Sequence, residues 1–321
     1  GEGFEFLHPN LGNVLFSFRK GWFIYTPLAL FFIAGFFFLK KREFKYSLLI
    51  FYVLNVYIIS CWTNWWYAES FSQRPLMHSL PVLLLPFGVL MEKIINERKF
   101  YFFALFIPLA ALNIFQTWQT NVGILHGSRM TFDYYKAIFL KTEIPAGAES
   151  LLLVDRSEMG ENNFSRKEDY NKTATFTHDF ETSTFDHLSD SIAKSGKKSC
   201  AVAPAYPYSY CFEKEFEEIT GQDHAWIKVS MWVWLSDTCT ITLPTLVTTF
   251  EHKGEPYTYR GLNFEADTTR TYPTREWTYV ETYYLTPELR TKNDKFKAYL
   301  WLRGRGRAYV DDMQIEFYEH K

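Results

Sequence analysis

Hydrophobic and polar residues divide the chain into two halves with different periodicity. Four apolar stretches follow one another in the first half: Trp22–Leu39, Tyr46–Trp62, Leu76–Ile95 and Phe100–Trp118. Each has roughly the twenty residues that a helix rising about 1.5 Å per residue needs to cross about 30 Å of hydrocarbon. We therefore predict four transmembrane helices between residues 22 and 118.

The second half lacks an apolar stretch of that length and alternates instead with a period of two. Ile227, Val229 and Met231 alternate with Lys228 and Ser230, which predicts a strand with two distinct faces. Four further segments follow the same pattern: Thr240–Phe250, Thr278–Leu285, Phe296–Arg303 and Ala308–Phe317. Turn residues separate these short segments, and the spacing predicts an all-β sandwich.

The two patterns predict four regions. An outer-side segment covers residues 1–21, the transmembrane region covers 22–118, a linker covers 119–172, and the sandwich covers 173–321. Within the linker we expect a helix and a short buried strand at Leu151–Asp155. Because the chain opens at Gly1 without an initiator Met or a signal peptide, we interpret it as a piece of a longer chain or as a processed product.

Basic residues predict the orientation of the helices. The connections at residues 40–45 and 93–99 carry Lys and Arg, so both should be cytoplasmic. The loop Trp62–Pro75, the N-terminal segment and the C-terminal half then lie on the outer side. Arg19 and Lys20 on that side depart from the rule, which suggests that they meet an anion.

Charge and cysteine content narrow the function classes. The net charge is −2 and the basic residues are scattered, so we expect no nucleic-acid partner.

Cys200 and Cys211 flank a turn and could face each other across a hairpin; the alternative is that the cysteines are small buried hydrophobic residues. His8 and His78 have no neighbour at metal-ligand spacing, so we assign no zinc site.

The outer loop carries the first candidate site. Trp65, Trp66 and Tyr67 stand beside Glu69 and Arg74. Aromatic rings pack against the C–H faces of sugars, and the planar donors of Arg fit phosphate. These residues therefore predict contact with a phosphate-linked sugar, with an interfacial aromatic belt and a routine ion pair as the alternative.

Two cations at the start of the first apolar stretch extend this site. Arg19 and Lys20 could hold a lipid phosphate at the outer edge of the membrane. The alternative is that both side chains snorkel toward lipid headgroups.

The β half carries two further candidate sites. Trp232 and Trp234 share one strand face, as do Tyr299 and Trp301, and we predict that both pairs bind carbohydrate; packing against the rest of the protein is the alternative. Acidic residues at 179–181 and 311–312 would suit a calcium ion if the first and last strands are close, and solvated acids are the alternative.

Two stretches of the first half resemble a known family. Leu15–Pro27 and Ser60–Pro75 are similar to the C-terminal membrane region of bacterial GT-C glycosyltransferases, above all the dolichyl-phosphate-mannose protein mannosyltransferase-like proteins of Bacteroidetes. That family typically has Leu-Phe-Ser-Pro-Arg-Lys-Gly before the helix and Trp-Trp-Tyr-Gly-Gly-Ser-Phe-Gly-Gln-Arg in the loop. This chain departs from it at Phe18, Ala68, Glu69 and Ser72.

The resemblance implies a polyprenyl-phosphate-linked sugar as donor and a glycan or protein as acceptor. We assign Arg74, Arg19 and Lys20 to the donor phosphate, and we expect a multi-pass protein of the bacterial inner membrane with a periplasmic C-terminal domain. The catalytic acid of such enzymes lies in their N-terminal half, and nothing in this sequence matches it. The chain is then the C-terminal portion of the enzyme, and its catalytic residue is unknown.

The second half resembles carbohydrate-binding modules of the jelly-roll type. The motifs that carry this likeness occur in order at Phe176–Glu181, Ser195–Ser199, Trp277–Val280 and Tyr309–Ile315. Such modules often hold a structural calcium between the first and last strands, which implies Glu181 and Asp312 as ligands. The alternative to the glycosyltransferase is a non-enzymatic, membrane-tethered carbohydrate-binding or structural module in surface-glycan assembly.

Overall fold

A computed structural model of the chain describes residues 3–156, 164, 166–239, 243–265 and 272–321. It divides into two compact units, Glu2–Asp155 and Arg156–Lys321, which we call the helical unit and the β unit. The α-helices of the helical unit are α1 (Leu11–Phe16), α2 (Trp22–Tyr25), α3 (Ala29–Ala34), α4 (Arg42–Ser60), α5 (Leu80–Asn96), α6 (Phe103–Asn121) and α7 (Phe132–Ile138).

Among the described residues, three helices have the length and composition needed to cross a membrane. They are α4, the stretch Arg74–Asn96, in which a 3₁₀ turn leads into α5, and the stretch Phe100–Asn121, which contains α6. Large apolar side chains on these helices are exposed, among them Ile50, Leu84, Ile107 and Ile114. The last three predicted spans therefore correspond to long apolar helices.

The prediction of a first span at Trp22–Leu39 is wrong. This stretch forms α2, α3 and a 3₁₀ helix at Gly35–Phe38 instead of one continuous helix. The break falls at Thr26, whose φ of −136° and ψ of 61° are not helical, because the ring of the following Pro27 disfavours the helical conformation of the residue before it. The remaining apolar helix, Ala29–Phe38, is too short to cross about 30 Å of hydrocarbon.

Close backbone contact explains how this short helix packs. At Gly35 the space that a Cβ atom would need is filled by the carbonyl group of Pro86 in α5. Small residues at such contacts let two helix backbones approach each other. Phe36, Tyr52, Val56 and Leu83 are buried in the resulting core.

The predicted strand at Leu151–Asp155 is also wrong. A 3₁₀ helix spans Ala148–Leu151, and the residues after it are irregular. Leu153 exchanges hydrogen bonds with Arg129, since its N–H donates to the Arg129 carbonyl over 2.9 Å and its own carbonyl accepts from Arg129 Nε over 2.6 Å. A short apolar run does not by itself distinguish a strand from other buried segments.

The β unit is a sandwich of two antiparallel sheets, as predicted. The strands of its described residues are β1 (Tyr170–His178), β2 (Leu188–Ser189), β3 (Ser199–Val202), β4 (Phe212–Glu215), β5 (Trp226–Leu235), β6 (Thr245–His252), β7 (Glu255–Asn263), β8 (Trp277–Leu285), β9 (Lys295–Trp301) and β10 (Ala308–His320). The larger sheet has the order β2-β3-β10-β5-β8, with β1 also pairing with β10, and the smaller has the order β4-β9-β6-β7. A short helix, α8 (Phe216–Ile219), follows β4.

The core of the sandwich confirms the predicted alternation. Ile227, Val229 and Met231 on β5 are buried in one cluster with Phe250 and Phe296 of the smaller sheet. The predicted strand at Thr240–Phe250 is described from residue 243 onward, and β6 begins at residue 245. The first and last strands pair with each other, as the calcium prediction assumed.

Candidate functional site

An exposed aromatic surface covers the smaller sheet of the β unit. On β9, Phe296, Ala298 and Leu300 are buried in the core, so Tyr299 and Trp301 point to the outer face. Tyr259 on β7 shares that face because it lies opposite Thr249, which in turn lies opposite Lys297. Tyr208 joins them from the segment before β4. We call Tyr208, Tyr259, Tyr299 and Trp301 the aromatic face.

Short backbone contacts place Tyr208 against β9. It forms an isolated antiparallel bridge with Trp301. Its ring centroid lies 5.6 Å from that of Tyr299 and 6.1 Å from that of Trp301. Tyr208 is 49% exposed and Tyr259 is 53% exposed, so large parts of both rings are available to a ligand.

Small and polar residues of β6 form the floor between these rings. Thr245, Val247 and Thr249 lie opposite Trp301, Tyr299 and Lys297 of β9 and are buried. Gly261 on β7 keeps the floor open, because a Cβ atom there would come within 2.8 Å of the Tyr259 hydroxyl. The aromatic rings thus stand on a floor of smaller side chains.

Polar groups border the aromatic face at both ends. Lys297 lies 2.7 Å from Glu251 and 3.3 Å from Glu213 at one end. At the other end Arg303 Nη2 donates to Asn263 Oδ1 over 3.0 Å, and its guanidinium carbon lies 5.9 Å from the Trp301 ring centroid. Rings flanked by hydrogen-bonding groups are suited to the apolar faces and hydroxyl edges of a sugar.

The two aromatic pairs predicted from the sequence do not meet. Trp232 and Trp234 lie on the outer face of the larger sheet, whereas Tyr299 and Trp301 lie on the smaller one. Trp232 packs 5.5 Å from Tyr279 and Trp234 packs 5.5 Å from Tyr309, measured between ring centroids. Lys194 Nζ lies 4.1 Å from the centre of the Trp232 ring, so this pair already has protein partners.

The predicted calcium ligands form hydrogen bonds with the loop before β3. Glu181 Oε1 accepts hydrogen bonds of 2.7 Å from the backbone N–H groups of Lys197 and Lys198. Asp312 Oδ1 accepts one of 2.7 Å from the Ser195 hydroxyl. Within the described ranges, no group of three or more His, Cys, Asp or Glu side chains is placed to hold a metal ion. Calcium binding by this pair therefore stays a prediction.

The cysteines of the described chain are free thiols. Cys61, Cys200 and Cys239 are buried and Cys211 is exposed, which agrees with the alternative that most of them serve as small hydrophobic residues.

In the helical unit, several residues of the predicted phosphate-sugar site come together. The Arg19 guanidinium lies 4.2 Å from the Trp66 ring centroid and 6.0 Å from that of Trp65. Lys20 is only 1% exposed, and its Nζ donates to the carbonyl and to the hydroxyl of Ser70. Burial lowers the pKa of Lys20 to about 7, with the charge of Glu69 opposing and the charges of Arg19 and Arg74 adding to the shift.

The loop at residues 126–128, which no pattern in the sequence predicts, also contacts this cluster. Ser128, which follows α6 in the chain, donates its hydroxyl to Glu69, and its carbonyl accepts from Arg19 Nε over 2.6 Å. Gly127 lies against the Glu69 carboxylate, with no room for a Cβ atom. Tyr67 turns away and packs 4.5 Å from Trp62. Arg74 is exposed, and its charge acts on Lys20.

Among known proteins, similarity to this chain was found only in solved structures. No protein-family model matches it, and the curated proteins contain no match. It is similar to the CBM22-1 xylan-binding domain of Paenibacillus barcinonensis Xyn10C, with 12% identity, a TM-score of 0.28, and coverage of 47% of this chain and 87% of that one.

Two further carbohydrate-binding modules are similar to the chain. The C-terminal family 22 module of Clostridium thermocellum Xyn10B has 9% identity and a TM-score of 0.25, over 46% of this chain and 84% of that one. TmCBM61, solved with β-1,4-galactotriose, has 12% identity and a TM-score of 0.24, over 47% of this chain and 88% of that one.

Proposed function

We propose that the β unit binds carbohydrate through the aromatic face. The observation that carries this proposal is the placement of Tyr208, Tyr299 and Trp301 side by side on an outer sheet face, with Tyr208 about half exposed. Exposed aromatic side chains leave apolar area in water, and covering it gains about 25 cal/mol per Å². A sugar ring offers a flat C–H face to these rings and hydroxyl groups to Asn263 and Arg303.

The helical unit anchors this module in a membrane. The length and composition of α4, Arg74–Asn96 and Phe100–Asn121 support this role, as does the exposure of Ile50, Leu84 and other large apolar side chains. The basic residues at 40–45 and 93–99 support a position of the β unit on the outer side, in the periplasm of a bacterial inner membrane.

A glycan array tests the carbohydrate proposal. The full chain, reconstituted in lipid nanodiscs, is applied to plant, bacterial and host-type polysaccharides, with empty nanodiscs as the control. We expect retention on at least one class of glycan in a manner that free oligosaccharide of that class competes away. Failure to retain any glycan at micromolar protein would contradict the proposal.

A second function is favoured by the cluster in the helical unit. It is the membrane portion of a glycosyltransferase that uses a polyprenyl-phosphate-linked sugar, with a glycan or protein as acceptor. The fold brings Arg19 and Lys20 together with Trp66 and Glu69 from a second segment of the chain, which supports that function. Arg19 and Lys20 would stabilise the negative charge that develops on the lipid phosphate as the acceptor attacks the anomeric carbon.

Loop conformation also supports the second function. Ala68 and Ser72 have φ values of 52° and 51°, a region that favours glycine. Both positions are glycine in the glycosyltransferase family that this loop resembles. The backbone at these two positions is thus of the kind that favours glycine, although the glycines themselves are replaced in this chain.

Binding of polyprenyl phosphate tests the second function. Lys20→Met keeps the length of the side chain and removes its charge, and we expect it to weaken binding by the intact protein at least tenfold. Lys40→Met, which changes an exposed lysine on the predicted cytoplasmic side, is the matched control. Equal affinity in both variants and in the unmodified protein would contradict the assignment.

A further inference from the structure

The loop at residues 126–128 joins the cluster of Arg19, Lys20 and Glu69 through several contacts. Ser128 contacts Arg19 and Glu69, and the carbonyl of Gly127 accepts a hydrogen bond of 3.3 Å from the Ser70 N–H. His126 begins this loop, and the charges of both Glu69 and Lys20 act on its imidazole. Because Ser128 and Gly127 bind Arg19, Glu69 and Ser70, the loop that carries His126 lies against the cluster.

Hydrogen bonds to His126 determine which ring nitrogen can serve a ligand. Its Nδ1 accepts from the backbone N–H groups of Ser128 and Arg129, both over 3.2 Å. A neutral imidazole has one donor and one acceptor, so the proton is on Nε2. Burial lowers the pKa of His126, which keeps the ring neutral, while the charge of Glu69 partly opposes the shift. In the described chain no group accepts a hydrogen bond from Nε2–H.

Lys20 makes no direct ion pair among the described residues of this cluster, although the charge of Glu69 acts on it. Its ammonium has three donors, and Ser70 supplies two acceptors. Within the described ranges no carboxylate lies in ion-pair distance of Lys20 Nζ. A buried ammonium without an anionic partner is costly, and an anion bound beside it would remove that cost. Arg19, which stacks over Trp66, adds a second positive charge on the same side.

We propose that His126 donates its Nε2–H to the phosphate group that Lys20 and Arg19 bind. This inference rests on the second proposed function and adds a neutral donor to its two cations. A phosphate offers several acceptor oxygens, so an ammonium, a guanidinium and an imidazole N–H can each bind a different lone pair. The ligand is a phosphate monoester or diester, either on a polyprenyl lipid or on a soluble molecule.

Two substitutions separate the two nitrogens of His126. His126→Asn keeps an acceptor near the position of Nδ1, where the Asn side chain can accept the Ser128 N–H as in a common turn, and it has no donor at the position of Nε2. His126→Gln keeps a donor near the position of Nε2. We expect the Asn variant to bind polyprenyl phosphate about tenfold more weakly, with unchanged thermal stability, and the Gln variant to lose less.

The experiment titrates the full chain in nanodiscs with polyprenyl phosphate, with neutral polyprenol and with inorganic phosphate. Weaker binding of either phosphate by His126→Asn supports the inference, and the arm that responds identifies a lipid or a soluble source. If the unmodified protein binds neither phosphate, the second proposed function fails. If it binds, Lys20→Met weakens binding and His126→Asn does not, the inference about His126 alone is overturned.

Discussion

The ring of Tyr208 lies nearly parallel to that of Trp301, with centroids 6.1 Å apart and an interplanar angle of 26°. Two backbone hydrogen bonds hold this arrangement. The Ser209 N–H donates to the Leu300 carbonyl over 3.0 Å, and the Leu302 N–H donates to the Pro207 carbonyl over 2.8 Å. The segment 207–209 therefore pairs with the end of β9 and adds the Tyr208 ring to the aromatic face.

Replacing Tyr208 should therefore affect ligand binding more than folding. Tyr208→Ala removes a ring that is half exposed and packs mainly against other rings of the face. We expect an affinity loss of about tenfold for the glycan identified on the array, with a change in stability below about 1 kcal/mol. Tyr208→Phe, which keeps the ring, should bind nearly as well. Calorimetric titration distinguishes these outcomes, and equal binding by all three proteins would argue against a role for Tyr208.

Phosphate binding should weaken as the pH rises. Burial lowers the pKa of Lys20 to about 7, so the empty site holds a charged ammonium below pH 7 and loses its proton above it. A bound anion favours the ammonium, and binding above pH 7 then takes up a proton. Affinity should fall by up to about tenfold per pH unit between pH 7 and 9.

The same titration with Lys20→Met supplies the control for this prediction. That variant should bind weakly and show a flat profile over the range in which Lys20 titrates. A flat profile in the unmodified protein would mean that Lys20 does not change its charge when phosphate binds.

A buried carboxylate should be important for the stability of the β unit. Asp294 accepts hydrogen bonds from His252 over 2.7 Å, from the Tyr257 hydroxyl over 2.8 Å and from the Thr291 hydroxyl over 2.8 Å. Asp294→Ala removes the buried acceptor that the buried His252 and the half-buried Tyr257 share, and we expect it to cost about 3–5 kcal/mol in denaturant unfolding. Asp237→Ala, which removes an exposed carboxylate paired with Arg275, should cost less than about 1 kcal/mol. Similar costs for the two changes would refute this view of Asp294.

Replacing one alanine by glycine should stabilise the helical unit. Ala68 has a φ of 52°, where a Cβ atom costs roughly 1 kcal/mol, so Ala68→Gly should raise the melting temperature of the helical unit by a few degrees. The same change at Ala111 inside α6 should lower it, because glycine destabilises a regular helix by about 1 kcal/mol. Thermal unfolding in nanodiscs compares the two variants, and destabilisation by both would show that Ala68 is not strained.

The periodicity of the sequence predicted the fold best where it reflects burial directly. The alternation of Ile227 with Lys228 predicted both faces of β5, and uninterrupted apolar runs predicted α4 and α6. It failed at Trp22–Leu39, because composition suggested a span and the conformational effect of Pro27 on Thr26 outweighed it.

The sites were predictable only in part, because the fold brings together residues from distant segments. Arg19, Lys20 and Glu69 were anticipated, but no local pattern links them to His126, about sixty residues after Glu69 in the chain. Tyr208 lies in an irregular segment whose partner on β9 cannot be found by periodicity. The two aromatic pairs looked equivalent in sequence, and only sheet topology separates Trp234 from Trp301.

The affinity of two matched tryptophan variants for the array-identified glycan tests the central claim most directly. Trp301→Ala removes a ring from the aromatic face, whereas Trp234→Ala removes a half-buried ring from the opposite sheet. With the full chain in nanodiscs, we expect Trp301→Ala to weaken binding at least tenfold and Trp234→Ala to bind within about twofold of the unmodified protein. Unchanged binding by Trp301→Ala, or a loss confined to Trp234→Ala, would contradict the claim that the aromatic face is the carbohydrate site.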